Sequence, residues 1–221
     1  MIMNKLGKYI CIEGTEGVGK TTQIKNLCNY LKKNNYSFVN TRDIGSPHLD
    51  ITVTLRKIML DNQYSSQLSD MSRELISNGM RSIHLEKLVI PKLSEVDYVI
   101  QDRGFLSAIS YGEACGNDPA FLKQLTDNIV NSSKIGRSSA DLYDTLIILK
   151  GDSKKALARA KASKQEFESG DAMESLGDLF MNKVNQNFQL YKTGFNNVHE
   201  IDIEGKSINE VFAQILVILK I

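Results

Sequence analysis

Nine consecutive residues carry the most specific chemistry in this chain: Gly14-Thr15-Glu16-Gly17-Val18-Gly19-Lys20-Thr21-Thr22. Within them, Gly14-x-x-x-x-Gly19-Lys20-Thr21 fits the phosphate-binding loop pattern in full. Its glycines allow backbone conformations that a Cβ would forbid, so successive N–H groups can converge on phosphate oxygens. Lys20 is placed to reach the β- and γ-phosphates, and the Thr21 hydroxyl to ligate Mg²⁺. The pattern also arises by chance, so its context decides. An apolar run, Tyr9–Ile12, precedes it, and Ile24, Leu27, Cys28 and Leu31 follow at helical spacing. A helix opening near Lys20 adds the positive end of its dipole to the same point. The expectation is a nucleoside triphosphate site.

A second pair with chemical potential is Asp102-Arg103, directly after the apolar run Tyr98-Val-Ile-Gln. An aspartate there suits a Mg²⁺ or water contact, or polarisation of an attacking oxygen. An arginine can grip a phosphate bidentately. The bland alternative is a surface ion pair that caps the next helix.

The elements that must position these groups read as alternating strands and helices. Short apolar, β-branched or aromatic runs fall at Tyr9–Ile12, Ser37–Asn40, Tyr98–Ile100, Thr145–Leu149 and Val198–Ile201. Helical periodicity covers about Lys20–Lys33, Asp50–Leu60, Ser65–Leu93, Ser107–Ala114, Ser153–Ala162, Ala172–Tyr191 and Ser207–Leu219. Pro91 is expected to kink or end the third of these. The pattern predicts one α/β domain over residues 1–221: a three-layer αβα fold with a five-stranded parallel sheet and helices on both faces. Chemistry in such sheets gathers at the carboxyl ends of the strands. Polar clusters follow the runs there: Thr41-Arg42-Asp43, Asp102-Arg103, Gly151-Asp152 and Asp202.

Composition excludes several classes. The formal net charge of +1 argues against a general nucleic-acid or membrane-surface binder. No apolar run approaches a transmembrane length, and the start lacks the apolar core of a signal peptide, so a cytoplasmic protein is expected. The three cysteines have no paired spacing, and Cys11 and Cys28 read as small core residues.

With these motifs in order, the chain resembles the thymidylate kinases of the P-loop nucleoside monophosphate kinase group. That family's Phe/Ile-x-x-Glu-Gly-x-x-Gly-x-Gly-Lys-Thr-Thr-Gln is matched by Ile10 through Gln23. Its Thr-Arg-Glu-Pro-Gly turn corresponds to Thr41-Arg42-Asp43-Ile44-Gly45. Its Arg-x-x-His-x-Glu helix with a following Ile-x-Pro-x-Leu corresponds to Arg81, His84, Glu86, Ile90, Pro91 and Leu93. Asp-Arg-x-x-x-Ser-x-x-x-Tyr is Asp102, Arg103, Ser107 and Tyr111, and a late Asp-x-x-Glu with aromatic spacing is Asp171, Glu174, Phe180 and Phe188.

The resemblance implies a strand order of 2-3-1-4-5, with ATP as phosphoryl donor, Mg²⁺ as cofactor and a deoxypyrimidine nucleoside 5′-monophosphate, dTMP first, as acceptor. It implies that Lys20 and the loop amides cradle ATP, and that Glu16 faces the acceptor's sugar hydroxyl. Arg42 and Arg103 would grip the acceptor phosphate, with Ser107 beside them, and Arg81 would read the pyrimidine edge. Tyr111 would crowd out a 2′-hydroxyl, and Asp102 would serve Mg²⁺, a water or the acceptor oxygen. A homodimer is implied as well. His84 carries no such role and reads as a packed helix residue. One branch of the family places an arginine at position 17, where this chain has glycine. The other branch supplies that charge from a lid, here about residues 153–172, with Arg159, Lys161 and Lys164 as candidates.

Several positions depart from the family. The aromatic that stacks on the base lies four residues before the arginine, and here that residue is Ser77. Asp43 and Ile44 replace the turn's glutamate and proline, and Gly104 replaces a larger residue. Two explanations stay open. Phe105 fills the space from the side opened by Gly104, or the pocket is enlarged for a bigger or more polar base that Ser77 hydrogen-bonds. Three rivals are also weighed. A kinase for a modified base or a nucleic-acid hydroxyl would want a basic groove. A guanine-nucleotide switch would need Asn-Lys-x-Asp, and Asn182-Lys183-Val184-Asn185 lacks the aspartate. A non-catalytic homologue is disfavoured because every phosphate-handling position is filled.

Overall fold

The computed structural model describes residues 6–64, 66–151 and 177–221. Five strands are described: β1 (Lys8–Glu13), β2 (Phe38–Arg42), β3 (Tyr98–Asp102), β4 (Thr145–Lys150) and β5 (Val198–Asp202). They form one parallel sheet in the order β2-β3-β1-β4-β5. The order matches the expectation, and each strand runs one or two residues beyond the sequence-read carboxyl end. Arg42 and Asp102 are therefore the last residues of β2 and β3, paired side by side, with Ile12 opposite Asp102 on β1.

Alternation along the strands builds two cores. Tyr9 and Cys11 of β1 join Val99, Leu146 and Ile148 on one face, against Leu106, Ile109, Leu122, Val184 and Phe188. Ile10 and Ile12 join Ile100, Ile147 and Leu149 on the other. There they meet Ile24, Leu27 and Leu31 of α1 (Lys20–Lys33) and Val211, Ile215 and Leu219 of the last helix. Successive side chains of a strand point to opposite faces, so a sheet covered on both sides needs apolar residues at every position. β1 is buried throughout except at its first residue.

The remaining helices are α2 (Asp50–Leu60), α3 (Asp70–His84), α4 (Ile90–Leu93), α5 (Phe105–Ala114), α6 (Pro119–Ser132), α7 (Gly177–Tyr191) and α8 (Ile208–Leu219). The long third helix of the sequence reading is interrupted. A π-helical turn over Leu85–Val89 follows α3, and the chain continues through Pro91 instead of ending there. Proline lacks the N–H and crowds the carbonyl four residues back, and the wider turn sits where that crowding falls. α6 escaped the sequence reading. Its start is marked by Asp118, whose side chain accepts from the Ala120 N–H, and by Pro119 in the first turn. Ser207 caps α8 through a reciprocal box with Glu210. Cys11 is buried and Cys28 packs at the edge of the core, as expected, and all three cysteines are free. No helix among the described residues is long and apolar enough to cross a membrane.

His84 joins the layers. Its Nε2 lies 2.9 Å from Thr41 Oγ1, which in turn lies 2.8 Å from Ser46 Oγ, tying α3 to the end of β2. Burial lowers its pKa to about 4. The folded state thus resists protonation that the unfolded chain accepts near its ordinary value of about 6.5. The associated stability is complete above that value and is lost as pH falls toward 4, by at most about 3 kcal/mol at 1.36 kcal/mol per unit. Denaturant unfolding at pH 7 and pH 4.5 is expected to show a larger loss in the wild-type chain than in His84→Gln. Equal losses would mean that His84 titrates alike folded and unfolded.

Candidate functional site

The phosphate loop leaves β1 at Glu13 and enters α1 at Lys20, as the sequence requires. Gly14 has φ of 135° and Gly19, at the helix N-cap, φ of 91°, both outside the range of ordinary side chains. A Cβ on Gly14 would also collide with the Leu149 carbonyl of β4, so the loop and that strand can approach only with glycine there. Lys20 is buried, and its Nζ donates to the carbonyls of Gly14 at 2.9 Å and Thr15 at 2.8 Å. Burial, with the Arg103 charge adding to it, lowers its pKa to about 8 against the pull of Asp102, Glu13 and Glu16. Thr21 and Thr22 are exposed at the helix start.

Arg103 is the centre of the second half. It follows β3 with φ of 64°, an uncommon backbone for arginine. Its N–H donates to the Ile12 carbonyl at 3.0 Å, and the Arg103 carbonyl accepts from Gln101 Nε2 at 2.8 Å. Its Nη1 donates to Gly14 O at 3.1 Å and Ser107 Oγ at 3.3 Å, and Nη2 lies 3.7 Å from Glu16 Oε1. The guanidinium carbon sits 5.3 Å from the centre of the Tyr111 ring. Burial pulls against the charge, but Tyr111, Glu16, Asp102 and Glu13 outweigh it and hold the pKa above the ordinary arginine value. Glu13 was not singled out in sequence. Its Oε1 accepts from the N–H groups of Gly104 at 2.7 Å and Ser107 at 3.0 Å, and Oε2 from Ser107 Oγ at 2.5 Å. A buried carboxylate at the helix start thus fixes α5, and with it Ser107 and Tyr111, against the loop.

A cavity of about 130 Å³ opens beside this group. Glu16, Arg103, Ser107 and Tyr111 line one end, and Asp43, Ser77 and Arg81 lie on its other walls. Arg81 Nε donates to Asp43 Oδ2 at 2.7 Å, both side chains being buried, and Arg81 Nη1 donates to Ser77 Oγ at 3.0 Å. Six of the seven residues read as acceptor contacts therefore converge. Arg42 does not: it is exposed at the end of β2, its Nε donates to Gly45 O at 2.9 Å, and it is absent from the cavity wall.

The structure bears on both readings of the missing aromatic. Phe105 is buried in the core and does not line the cavity. The room at Gly104 is filled by Tyr143, since a Cβ there would overlap the Tyr143 hydroxyl and approach Cys11 Sγ. No ring is supplied from that side. Ser77 faces the cavity, but its hydroxyl donates to the Glu74 carbonyl at 2.9 Å and accepts from Arg81. It steadies Arg81 and has no hydrogen left for a substrate.

Several buried oxygens in the site have no hydrogen-bond partner among the described residues: Glu16 Oε2, Asp43 Oδ1, Asp102 Oδ1 and the Tyr111 hydroxyl. Such groups are costly unless a ligand or water satisfies them. Among the described residues no cluster of three or more His, Cys, Asp or Glu forms a protein-only metal site. Asp102 Oδ1 and the Thr21 hydroxyl are nonetheless hard oxygen donors of the kind that hold Mg²⁺ with substrate phosphates and water. Arg159, Lys161, Lys164, the expected lid at 153–172 and the Asp171–Glu174 pair lie outside the described residues. Asn182–Asn185 lies within α7, as a helix and not a guanine-reading loop.

Phosphoryl transfer between two nucleotides requires a cradle for the donor's phosphates and a separate grip for the acceptor. The loop can supply the first, and the Arg103 end of the cavity can supply the second. Fold and site together define a P-loop nucleoside monophosphate kinase. Comparison with known proteins narrows the class. A family model for thymidylate kinase matches residues 12–215. The thymidylate kinase of Francisella tularensis subsp. holarctica is 33% identical over 213 residues, covering 96% of this chain and 95% of that one. That of a Psychrobacter species is 40% identical over 116 residues, covering 51% and 53%. The chain belongs to the thymidylate kinase family. The thymidylate kinase structure from Candida albicans superposes with a TM-score of 0.71 at 22% identity, over 97% of this chain and 92% of that one. The enzyme from Ehrlichia chaffeensis gives 0.69 at 24%, over 97% and 99%. At those identities the two structures speak for the fold.

Proposed function

We infer that the chain transfers the γ-phosphoryl group of ATP to a deoxypyrimidine nucleoside 5′-monophosphate, converting dTMP to dTDP in a Mg²⁺-dependent reaction. The observation that carries this reading is the cavity joining Glu16 and Arg103, beside the phosphate loop, to the buried Asp43–Arg81 pair. Lys20 and the loop amides hold ATP, and Arg103 orients the acceptor phosphate toward it. Glu16 takes the sugar hydroxyl, Tyr111 closes off the 2′ position, and Arg81, aligned by Asp43 and Ser77, reads the pyrimidine edge. Thr21 and Asp102 would hold Mg²⁺ together with the nucleotide's own oxygens, and the ion would supply neutralisation of phosphate charge. Arg42 is kept as an outer phosphate contact that would have to leave Gly45 to serve. Gly17 carries no charge, so the transition-state cation is assigned by sequence alone to Arg159, Lys161 and Lys164. Loss of kcat with unchanged KM values in the triple alanine variant is the check on that assignment.

A panel of deoxy- and ribonucleoside monophosphates assayed with ATP and Mg²⁺ tests the reading as a whole. Turnover of dTMP, with the ribonucleotide counterparts at least tenfold poorer, is expected. Turnover confined to purine monophosphates or to nucleic-acid ends would overturn it. Cytoplasmic location and a homodimer follow from the family resemblance. Exposed Ile51 and Ile58 on α2 and Met71 and Leu75 on α3 supply apolar surface for such a dimer, which sedimentation equilibrium would detect.

A further inference from the structure

The inner face of α3 is polar where a buried helix face is ordinarily apolar. Glu74, Ser77, Asn78 and Arg81 are all buried, at spacing i, i+3, i+4 and i+7. Asn78 contributes to the support, its Nδ2 donating to Glu74 Oε1 at 2.5 Å and to the Glu74 carbonyl at 2.9 Å. Ser77 and Arg81 are engaged with each other and with Asp43. Glu74 is a wall of the acceptor cavity, 7% exposed, with Oε1 held by Asn78. Its other oxygen, Oε2, lies against Gly112 of α5, where a Cβ would come within 2.6 Å of it. Gly112 also lines the cavity, one residue after Tyr111. Two helices thus cooperate to seat a carboxyl group in the same cavity: α3 carries it, and α5 omits a side chain to admit it.

A carboxyl at that wall is a poor neighbour for a methyl-substituted base, because burying it against hydrocarbon leaves an acceptor oxygen without a partner. It is a good neighbour for a group that donates a hydrogen bond. Sites built to hydrogen-bond a substrate N–H or O–H discriminate strongly against analogues lacking it, more than apolar pockets discriminate by size. Serine at the position of the stacking ring acts in the same direction, since it removes an apolar platform and leaves room. Ser77 offers a donor-bearing base only one remaining lone pair, because its hydroxyl already donates to the Glu74 carbonyl and accepts from Arg81.

We propose that Glu74 is a specificity-determining residue of the acceptor cavity, extending its substrates to deoxypyrimidine monophosphates whose base carries a hydrogen-bond donor at carbon 4 or carbon 5, which thymine lacks. The donor chemistry has two sources, a ring amino group as in cytosine or a hydroxymethyl group at carbon 5. The inference rests on the reading of this cavity as the acceptor site.

The test is the ratio of kcat/KM for each donor-bearing acceptor to that for dTMP, with 5-hydroxymethyl-dUMP and dCMP as probes. The ratio is measured in the wild-type chain, Glu74→Leu and Glu74→Gln with saturating ATP and Mg²⁺. For at least one probe the ratio is expected to fall tenfold or more in Glu74→Leu and to be largely retained in Glu74→Gln, which keeps an acceptor oxygen. Whichever probe responds identifies the source of the donor. A ratio that changes less than tenfold for both probes, including a parallel loss on all three acceptors, overturns the proposal and leaves Glu74 as a support for Asn78. The glutamine variant preserves shape and most hydrogen bonding, so a folding failure in the leucine variant leaves a second reading: wild-type-like ratios are expected there, and a tenfold fall overturns. Absence of turnover on every monophosphate by the wild-type chain would instead remove the acceptor-site reading beneath it.

Discussion

Alanine at Arg103 is expected to weaken the acceptor far more than ATP. The guanidinium touches the loop carbonyl of Gly14, Ser107, Glu16 and the face of Tyr111, so its position is fixed before any substrate arrives. An arginine held in that way loses little freedom on meeting a phosphate, and a charge-assisted bidentate contact is among the stronger polar interactions a protein makes. Truncating one partner of a buried charged pair costs about 2–5 kcal/mol, and about 2.7 kcal/mol already corresponds to a hundredfold. KM for dTMP is thus expected to rise on the order of a hundredfold, with kcat falling as the phosphate loses its alignment. KM for ATP should move by less than about threefold. Lysine should restore little, because it keeps the charge but not the fork. The check is steady-state kinetics with each substrate varied in turn. Equal weakening of both nucleotides would put Arg103 on the donor side or make it a purely structural residue.

Alanine at Lys20 is expected to lower turnover by about two to three orders of magnitude without harming the fold. Lys20 Nζ is buried and, among the described residues, bonded to two carbonyls of its own loop. Burial already disfavours its charge, as the pKa near 8 records. Removing an ammonium that contacts no carboxylate among the described residues relieves a desolvation cost at the same time as it loses hydrogen bonds, so the two effects oppose each other. Thermal stability should therefore change by no more than a few degrees, about 1 kcal/mol or less in a domain of this size. Catalysis has no such offset. Charge spreads over the transferring phosphoryl group in the transition state, and loss of a preorganised donor there costs on the order of 10²–10³ in kcat. Differential scanning calorimetry beside a coupled ADP-release assay separates the outcomes. A variant that unfolds early, or that retains a tenth of wild-type kcat, would contradict this account.

The contrast between these residues and the base-facing wall shows where sequence suffices. The loop was legible because its function is local. Backbone freedom at Gly14 and Gly19, a lysine and a threonine all act within one turn, and no distant residue is needed to make the motif meaningful. The strands were legible for a related reason. A parallel strand covered on both faces must be apolar throughout, so the runs stand out whatever packs on them. α6 was missed although its Asp118-Pro119 start was written plainly.

The acceptor cavity could not be read in this way, because its properties arise between elements. Asp43 departs from the family pattern only by the length of its side chain, yet in space it is the partner that orients Arg81. Gly104 suggests an opening toward the base until Tyr143, distant in sequence, occupies the space. Gly112 has no motif at all, and its meaning is the carboxyl of Glu74 that it admits from another helix. By itself the sequence determined the sheet, the phosphate loop and the class of reaction, since each depends on periodicity or on residues adjacent along the chain. The tertiary structure alone decided which side chains line the cavity, because those contacts join the end of β2, α3 and α5 at distances that no local pattern encodes.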